Sequence, residues 1–353
     1  MNLRLRTILL LLLPFPLLAQ QPSPAPSASP TMQLDVAVNG RSGKPIAGLN
    51  QSNFTVLDNG VTQPILNFHA VQMPSTDPPV QVILLIDTVN APFTTVSYER
   101  DQIAEFLRKS GPTLPYPLSF VFFANTNTQM QHVPSRSTAA LLDELNSQVN
   151  GLRTIGRNTG IYGAAERAQL SLTTLSQLAS YEQKAPGRKL LIWVSPGWAY
   201  LSGVRIYLTP RDQNQLFSAI VGISDALEHA RITLYSVDPL GVAGSGFRAN
   251  YYQEFLKGVK AAKDVQNGNL ALQVLAQHSG GKVLYAGNNI AAEIADCFDD
   301  ASAFYVLTVP RAPADSAITF HSLQVTLPDT NLKARTLFGY YALPQTDSPA
   351  NPH

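Results

Sequence analysis

The chain has 353 residues, of which 45% are hydrophobic and 14% charged, with 25 lysines and arginines against 24 aspartates and glutamates. That apolar content excludes a chain disordered throughout, and a formal net charge of +1 supplies no field strong enough to gather a phosphate backbone, which excludes nucleic acid as a partner of first choice. The single cysteine, Cys297, excludes an intrachain disulfide and a cysteine-based zinc site.

Residues 1–19 read as a secretory signal, with Arg4 and Arg6 at the start, an apolar run over 8–13 and a small-residue cleavage point at Ala19. Pro14 and Pro16 interrupt the run, which falls short of the roughly 20 apolar residues a membrane helix needs. No cysteine follows to take a lipid, and no later stretch is apolar enough to span a bilayer, so an exported protein, periplasmic or secreted, is expected. Residues 20–31, rich in Pro, Ser and Ala, read as an unpacked tether.

An N-terminal β-region follows over 32–73. Leu34, Val36 and Val38 alternate along an extended run, and the runs 54–57 and 61–68 flank Asp58-Asn59-Gly60, a hairpin signal because Asn and Gly tolerate the positive φ of primed turns. The stretch from Pro74 to Pro79 breaks the pattern. From 79 to 300 the period changes. Continuous apolar runs at 80–86, 118–124, 190–194 and 232–237 alternate with helical stretches at 98–108, 139–149, 160–178 and 213–230, and shorter segments at 270–278, 283–285 and 289–298 complete the series. Such alternation specifies an α/β domain with a doubly wound, mostly parallel sheet, because parallel neighbours need crossover helices. Strands at 303–309, 319–327 and 333–341 make a C-terminal β-region over 301–345, followed by a disordered tail over 346–353. Packed beside the opening strands they form a β-sandwich from both chain ends; two separate β-pieces are the other arrangement.

Four stretches carry a resemblance: LDVAVNGRSGKPIAGLNQSNFTVLDNGVTQPI, VILLIDTVNAPF, RKLLIWVSPGW and LQVTLPDTNLKARTLFGYYALP. Together they resemble the von Willebrand factor type A-related proteins of the acidobacterial type. The resemblance implies a Rossmann-like sheet wrapped by helices, and adhesion or protein binding at a metal site on the strand carboxyl ends. The family's metal pattern is Asp-x-Ser-x-Ser, a later Thr and a later Asp. Here Asp87 holds the first position, Val89 and Ala91 replace the serines, Thr159 takes the Thr position, and Ser195 stands where the second Asp belongs. Asn90 and Thr88 offer oxygens only from shifted positions. A hard cation wants about six oxygens and one or two carboxylates, so this set predicts at most weak Mg²⁺ binding and no resident cofactor. On the competing reading, Asp87 and Thr159 are hydrogen-bonding groups of the loop face.

Catalytic patterns are wanting. Ser195 follows a buried run, but Trp193 occupies the first glycine position of a nucleophile elbow and Pro196 follows directly. The histidines, at 69, 132, 229, 278, 321 and 353, show no metal-binding spacing. Asp296, Asp299 and Asp300 around Cys297 read as a solvated acidic surface, and residues 241–246 (GVAGSG) as a mobile loop with no P-loop lysine. The expectation is therefore a non-enzymatic module that binds an unidentified protein partner through Thr88, Phe93, Asn158, Trp198, Tyr200 and Ser245, with burial as the alternative for Trp198 and Tyr200. An envelope scaffold binding through β-edges is the second expectation, and a hydrolase of unrecognised type the third.

Overall fold

The computed structural model describes residues 30–73, 79–125, 128–131, 133–148, 161–198, 207–241, 250–285, 287–313 and 317–344. The signal, nearly all of the tether and the tail read from the sequence lie outside these residues.

β1 (Thr31–Asn39) buries Met32, Leu34, Val36 and Val38, the side its alternation selects. β2 (Thr55–Asp58) and β3 (Val61–Gln63) pair antiparallel with Asp58 opposite Val61, and Asn59 and Gly60 take φ of 49° and 83°, the two positive values of a primed hairpin turn. The single strand expected over 61–68 is two strands. Pro64, which has no N–H to give a ladder, follows β3; β4 (Asn67–Gln72) then pairs in a different sheet.

The α/β part runs β5 (Val80–Asp87), α1 (Phe93–Lys109), β6 (Thr113–Phe123), β7 (Thr128–Met130), β8 (Ser135–Ser137), α2 (Thr138–Ser147), α3 (Ile161–Glu182), β9 (Arg188–Val194), α4 (Pro210–His229), β10 (Ile232–Val237), α5 (Leu272–His278), β11 (Val283–Leu284) and α6 (Ile290–Asp299). The strands stand in the order β11-β10-β9-β5-β6-β7, parallel from β11 to β6. β7 and β8 add short antiparallel edges that the sequence reading did not foresee. β6 starts earlier than expected, at Thr113, and its pairing with β8 shifts register between Thr113 and Leu118, the stretch that holds Pro115 and Pro117. Helices α1, α2 and α6 cover one face through Ile103, Leu107, Leu141, Ile294 and Phe298, while α3, α4 and α5 cover the other through Leu175, Ile223, Leu227 and Leu275. With both faces covered, β5 reads as an apolar run over 82–86, preceded by the half-buried Gln81.

The chain ends with β12 (Ala303–Pro310), β13 (Thr319–Thr326), β14 (Lys333–Arg335) and β15 (Gly339–Ala342). Two four-stranded antiparallel sheets result, β14-β1-β12-β4 and β15-β13-β2-β3, each mixing strands from both chain ends. They share one apolar core that includes Leu34, Val36, Val56, Leu307, Leu323 and Tyr340. The strand expected over 333–341 is split between the two sheets. Between its halves the Phe338 N–H donates to the His278 carbonyl (2.8 Å) and Arg335 Nη1 donates to that of Gly280 (2.8 Å), drawing the chain onto the end of α5. Among the described residues no helix is long and apolar enough to cross a membrane.

The packing of the end of α5 against β10 depends on a glycine. A Cβ on Gly281 would strike the Leu234 carbonyl of β10 and crowd the Ala276 carbonyl, both backbone atoms that cannot turn aside. Gly281→Ala should therefore lower stability by about 2 kcal/mol, within the usual range for overpacking, as read from the denaturation midpoint; an unchanged midpoint would refute the close approach.

Candidate functional site

Asp87 ends the central strand β5, and its position decides its surroundings. β9 runs parallel beside it, so Trp193 and Ser195 come alongside, while the chain turns over residues 88–90 into α1. Asp87 is fully buried. Its Oδ1 accepts from the backbone N–H groups of Val89 and Asn90 (2.9 Å each), the bonding of an Asx turn. Its Oδ2 accepts from Asn90 Nδ2 (2.8 Å), Ser195 Oγ (2.8 Å) and Trp193 Nε1 (3.1 Å). Ser195 Oγ in turn accepts from the Gly197 N–H (3.0 Å). Asn90 Nδ2 also donates to Ser171 Oγ of α3 (2.9 Å), which donates to the Arg167 carbonyl (2.8 Å). Burial pushes the Asp87 carboxyl up, against the pull of the Asn90, Ser195 and Trp193 hydrogen bonds.

The structure brings Asp87, Asn90 and Ser195 together and adds Trp193 and Ser171. Whether this set suits a divalent cation can be judged from its donors. All five contacts to Asp87 are N–H or O–H groups, which point positive ends at the carboxylate where a cation would stand. Among the described residues no second carboxylate hydrogen-bonds to this set. Asn90 Oδ1 is buried with no hydrogen-bond partner among the described residues, a single neutral oxygen against the roughly six that Mg²⁺ requires. Among the described residues, the groups bonded to Asp87 do not fit the ion.

Two expected contact residues are corrected. Thr88 is buried, its Oγ1 donating to the Phe123 carbonyl of β6 (2.9 Å), because the loop folds inward to extend that pairing. Trp198 is 1% exposed; its indole Nε1 donates to the Leu270 carbonyl (2.9 Å) and its ring meets Trp193 edge-on at 5.4 Å. Phe93, the first residue of α1, is 59% exposed on the same carboxyl-end edge. Asn158, Thr159, Tyr200 and Ser245 lie outside the described residues.

Behind Asp87 stands a group the sequence reading missed. Glu99 of α1 is fully buried and neither carboxylate oxygen has a hydrogen-bond partner among the described residues. Burial, then the charges of Asp87 and Asp238, push its carboxyl well above the ordinary value. The spacing Val96, Glu99, Ile103, Phe106 on one buried face was the available signal.

Of the acidic residues near Cys297, Asp296 and Asp299 are exposed, as expected, and Asp300 is corrected. Asp300 is fully buried instead of solvated, bonded to Arg335 Nη2 (2.5 Å), Lys282 Nζ (2.9 Å), Tyr235 Oη (3.0 Å) and Asn39 Nδ2 (3.3 Å). Burial pushes its carboxyl up, but the Arg335 and Lys282 charges outweigh this and hold it below the usual range. On α4, Asp225, Glu228 and His229 bring ligand atoms within 4.8 Å of one another, a grouping not foreseen from the histidine spacing. Arg311 pairs with both Glu228 and Asp225, so a guanidinium already supplies the positive charge there.

No protein-family model matches the chain, and no curated protein matches it in sequence. Among solved structures it is similar to the manganese-loaded TRAP protein of Plasmodium vivax, at 10% identity and TM-score 0.37 over 80% of this chain and 97% of that one. It is also similar to a mutant of the PilB minor pilin from Streptococcus sanguinis, at 12% identity and TM-score 0.34 over 63% of this chain and 62% of that one. The N-terminal domain of TFIIH p34 compares at 12% identity and TM-score 0.31, over 63% of this chain and 97% of that one. Likenesses this loose transfer no ligand, metal or partner, and the doubly wound order stands on the chain's own strand pairings.

Proposed function

We propose that the chain is an exported, non-enzymatic protein-binding module, distantly of the von Willebrand factor type A kind, that meets its partner at the carboxyl ends of the sheet strands without a bridging cation. The observation that carries this reading is the bonding of Asp87. The group from which a bridging ion would be held is consumed by five internal hydrogen bonds, which fix the loop after β5 and with it the exposed Phe93. A rigid aromatic on a preorganised loop is the kind of anchor that protein recognition uses. Ser195 serves the same framework: it is fully buried, donating to Asp87 and accepting from Gly197, an arrangement unlike a nucleophile open to substrate.

The test has two arms. Calorimetric titration of Mg²⁺ and Mn²⁺ into the chain should give only heats of dilution; tight one-site uptake that disappears in Asp87→Asn would overturn the cation-free mechanism. A photo-crosslinking residue at position 93, in cells that make the protein, should trap a partner that the same residue at position 61 does not.

A second reading rests on the β-sheet edges. Val61 of β3 is 63% exposed and Leu66, just before β4, 56% exposed, and β3 and β4 are the terminal strands of their sheets. An envelope scaffold that adds a partner's strand at this edge would crosslink from position 61 and not from 93.

A further inference from the structure

A cleft of about 920 Å³ opens between the turn after β1, the residue before β11 and the loop joining β13 to β14. Its cations are Arg41, Lys282, Lys333 and Arg335, and among the described residues no carboxylate lines it. In a chain whose charges nearly cancel, four cations around one cleft is a local excess. The buried Asp300 beneath offsets one of them and holds Arg335 and Lys282 in place. Arg335 is fixed further by bonds to the Gly280 carbonyl and Asn39 Oδ1. Arg41 and Lys333 are exposed, and neither side chain has an ion-pair or hydrogen-bond partner among the described residues. The wall between them is partly apolar: Val325, Leu327 and Leu332, which belong to or pack against the core shared by the two β-sheets, line it beside Thr326, Thr330 and Asn331.

A solvated basic surface would not need an apolar wall, and an apolar cavity would not need four cations. The combination suits a ligand with an anionic head and an apolar body, and the volume matches that of small-molecule sites, which favour junctions between structural units. The carbonyl of Asp300 accepts from Arg188 at the amino end of β9, which sets the cleft on the side of the sheet away from Asp87 and Phe93.

We infer that this cleft binds a small amphiphilic anion, its phosphate or carboxylate head held by Arg41 and Lys333 over the fixed Arg335 and Lys282, and its apolar body laid along Leu327 and Leu332. Guanidinium and ammonium donors make charge-assisted hydrogen bonds to such heads, and the exposed pair is free to close on the ligand.

The test is calorimetric titration of the full chain with decyl phosphate below its micellar concentration, alongside inorganic phosphate and decanol as head-only and body-only probes. Decyl phosphate should saturate one site, bind more tightly than either fragment and weaken with added salt. The double variant Arg41→Ala/Lys333→Ala touches exposed side chains outside the Asp300 cluster and should keep its melting temperature, yet bind about tenfold more weakly through loss of two charged contacts. A control of equal charge, Arg211→Ala/Lys263→Ala, should bind as the parent does. Absence of saturable uptake, equal weakening in both double variants, or decanol or phosphate alone binding as well as decyl phosphate would each overturn the assignment. Vesicles of phosphatidylglycerol provide the last comparison: binding to them in preference to monomeric decyl phosphate would show a membrane-surface patch and refute a small-molecule site.

Discussion

Asp87→Ala should cost the fold on the order of 4 kcal/mol, because it strips the acceptor from five donors at once and leaves buried N–H and O–H groups without partners. Two of those donors are backbone amides of the turn and one is the indole of a fully buried Trp193, none of which can reach water without opening the carboxyl end of the sheet. Asp87→Asn should be nearly as damaging. It keeps an oxygen for the Val89 and Asn90 amides, but turns an NH₂ toward Asn90 Nδ2 and Trp193 Nε1, both donors, and leaves only the Ser195 hydroxyl able to turn and accept. Ser195→Ala removes one donor to Asp87 and the acceptor of the Gly197 N–H, and should cost about 2 kcal/mol. Urea denaturation of the three variants orders them. If Asp87→Ala proved as mild as Ser195→Ala, the carboxylate would not be the structural centre of the loop, and a role reserved for a ligand would return.

The strengths and failures of the sequence as a guide have physical causes. Mainly apolar runs such as β5 and β10 were legible because a strand buried on both faces favours apolar residues along its whole length, with only Gln81, Asp87, Thr233 and Ser236 departing from it. The Asp58-Asn59-Gly60 turn was legible because its backbone angles narrow the choice of residue. Strand breaks were not, where one apolar run feeds two sheets: β3 and β4 share a run around Pro64, and β14 and β15 share another that is bent by bonds to the end of α5. Alternation records that a residue faces a core, not which sheet it belongs to. In the site, chain position placed Asp87 and Ser195 side by side, since parallel neighbouring strands end at one edge. Composition could not show that Trp193 and Asn90 turn their N–H groups toward Asp87, and it hid Asp300, whose partners Lys282, Arg335 and Asn39 come from three distant segments. The same limitation applies to Trp198, whose indole finds its carbonyl 72 residues away.

Glu99 should make the protein's stability fall as pH rises above the ordinary glutamate range. Its folded carboxyl titrates well above the ordinary 4.5, pushed there by burial and by the charges of Asp87 and Asp238. The folded state therefore holds a proton that the unfolded state gives up. The stability contributed by the protonated form is fully present below pH 4.5 and declines by about 1.4 kcal/mol per pH unit from there to the folded value. Glu293 of α6, pushed up to about 6 by burial, adds a weaker slope of the same sign between pH 4.5 and 6. Glu99→Met replaces an unpartnered acid with an apolar side chain of similar length among Val96, Ile103 and the β5 face, and should raise stability at pH 7 by about 1–3 kcal/mol. The gain should shrink toward pH 4, where the parent is already neutral, and Glu99→Gln should flatten the pH profile even if its buried amide lowers the absolute value. Thermal denaturation of the three proteins between pH 4 and 8 measures all of this. A Met variant less stable than the parent at pH 7, with an unchanged slope in both variants, would mean that Glu99 is ionised and held by a cation or by residues outside those described. The acid behind Asp87 would then have to be read as part of a binding site, not as a cost carried by the core.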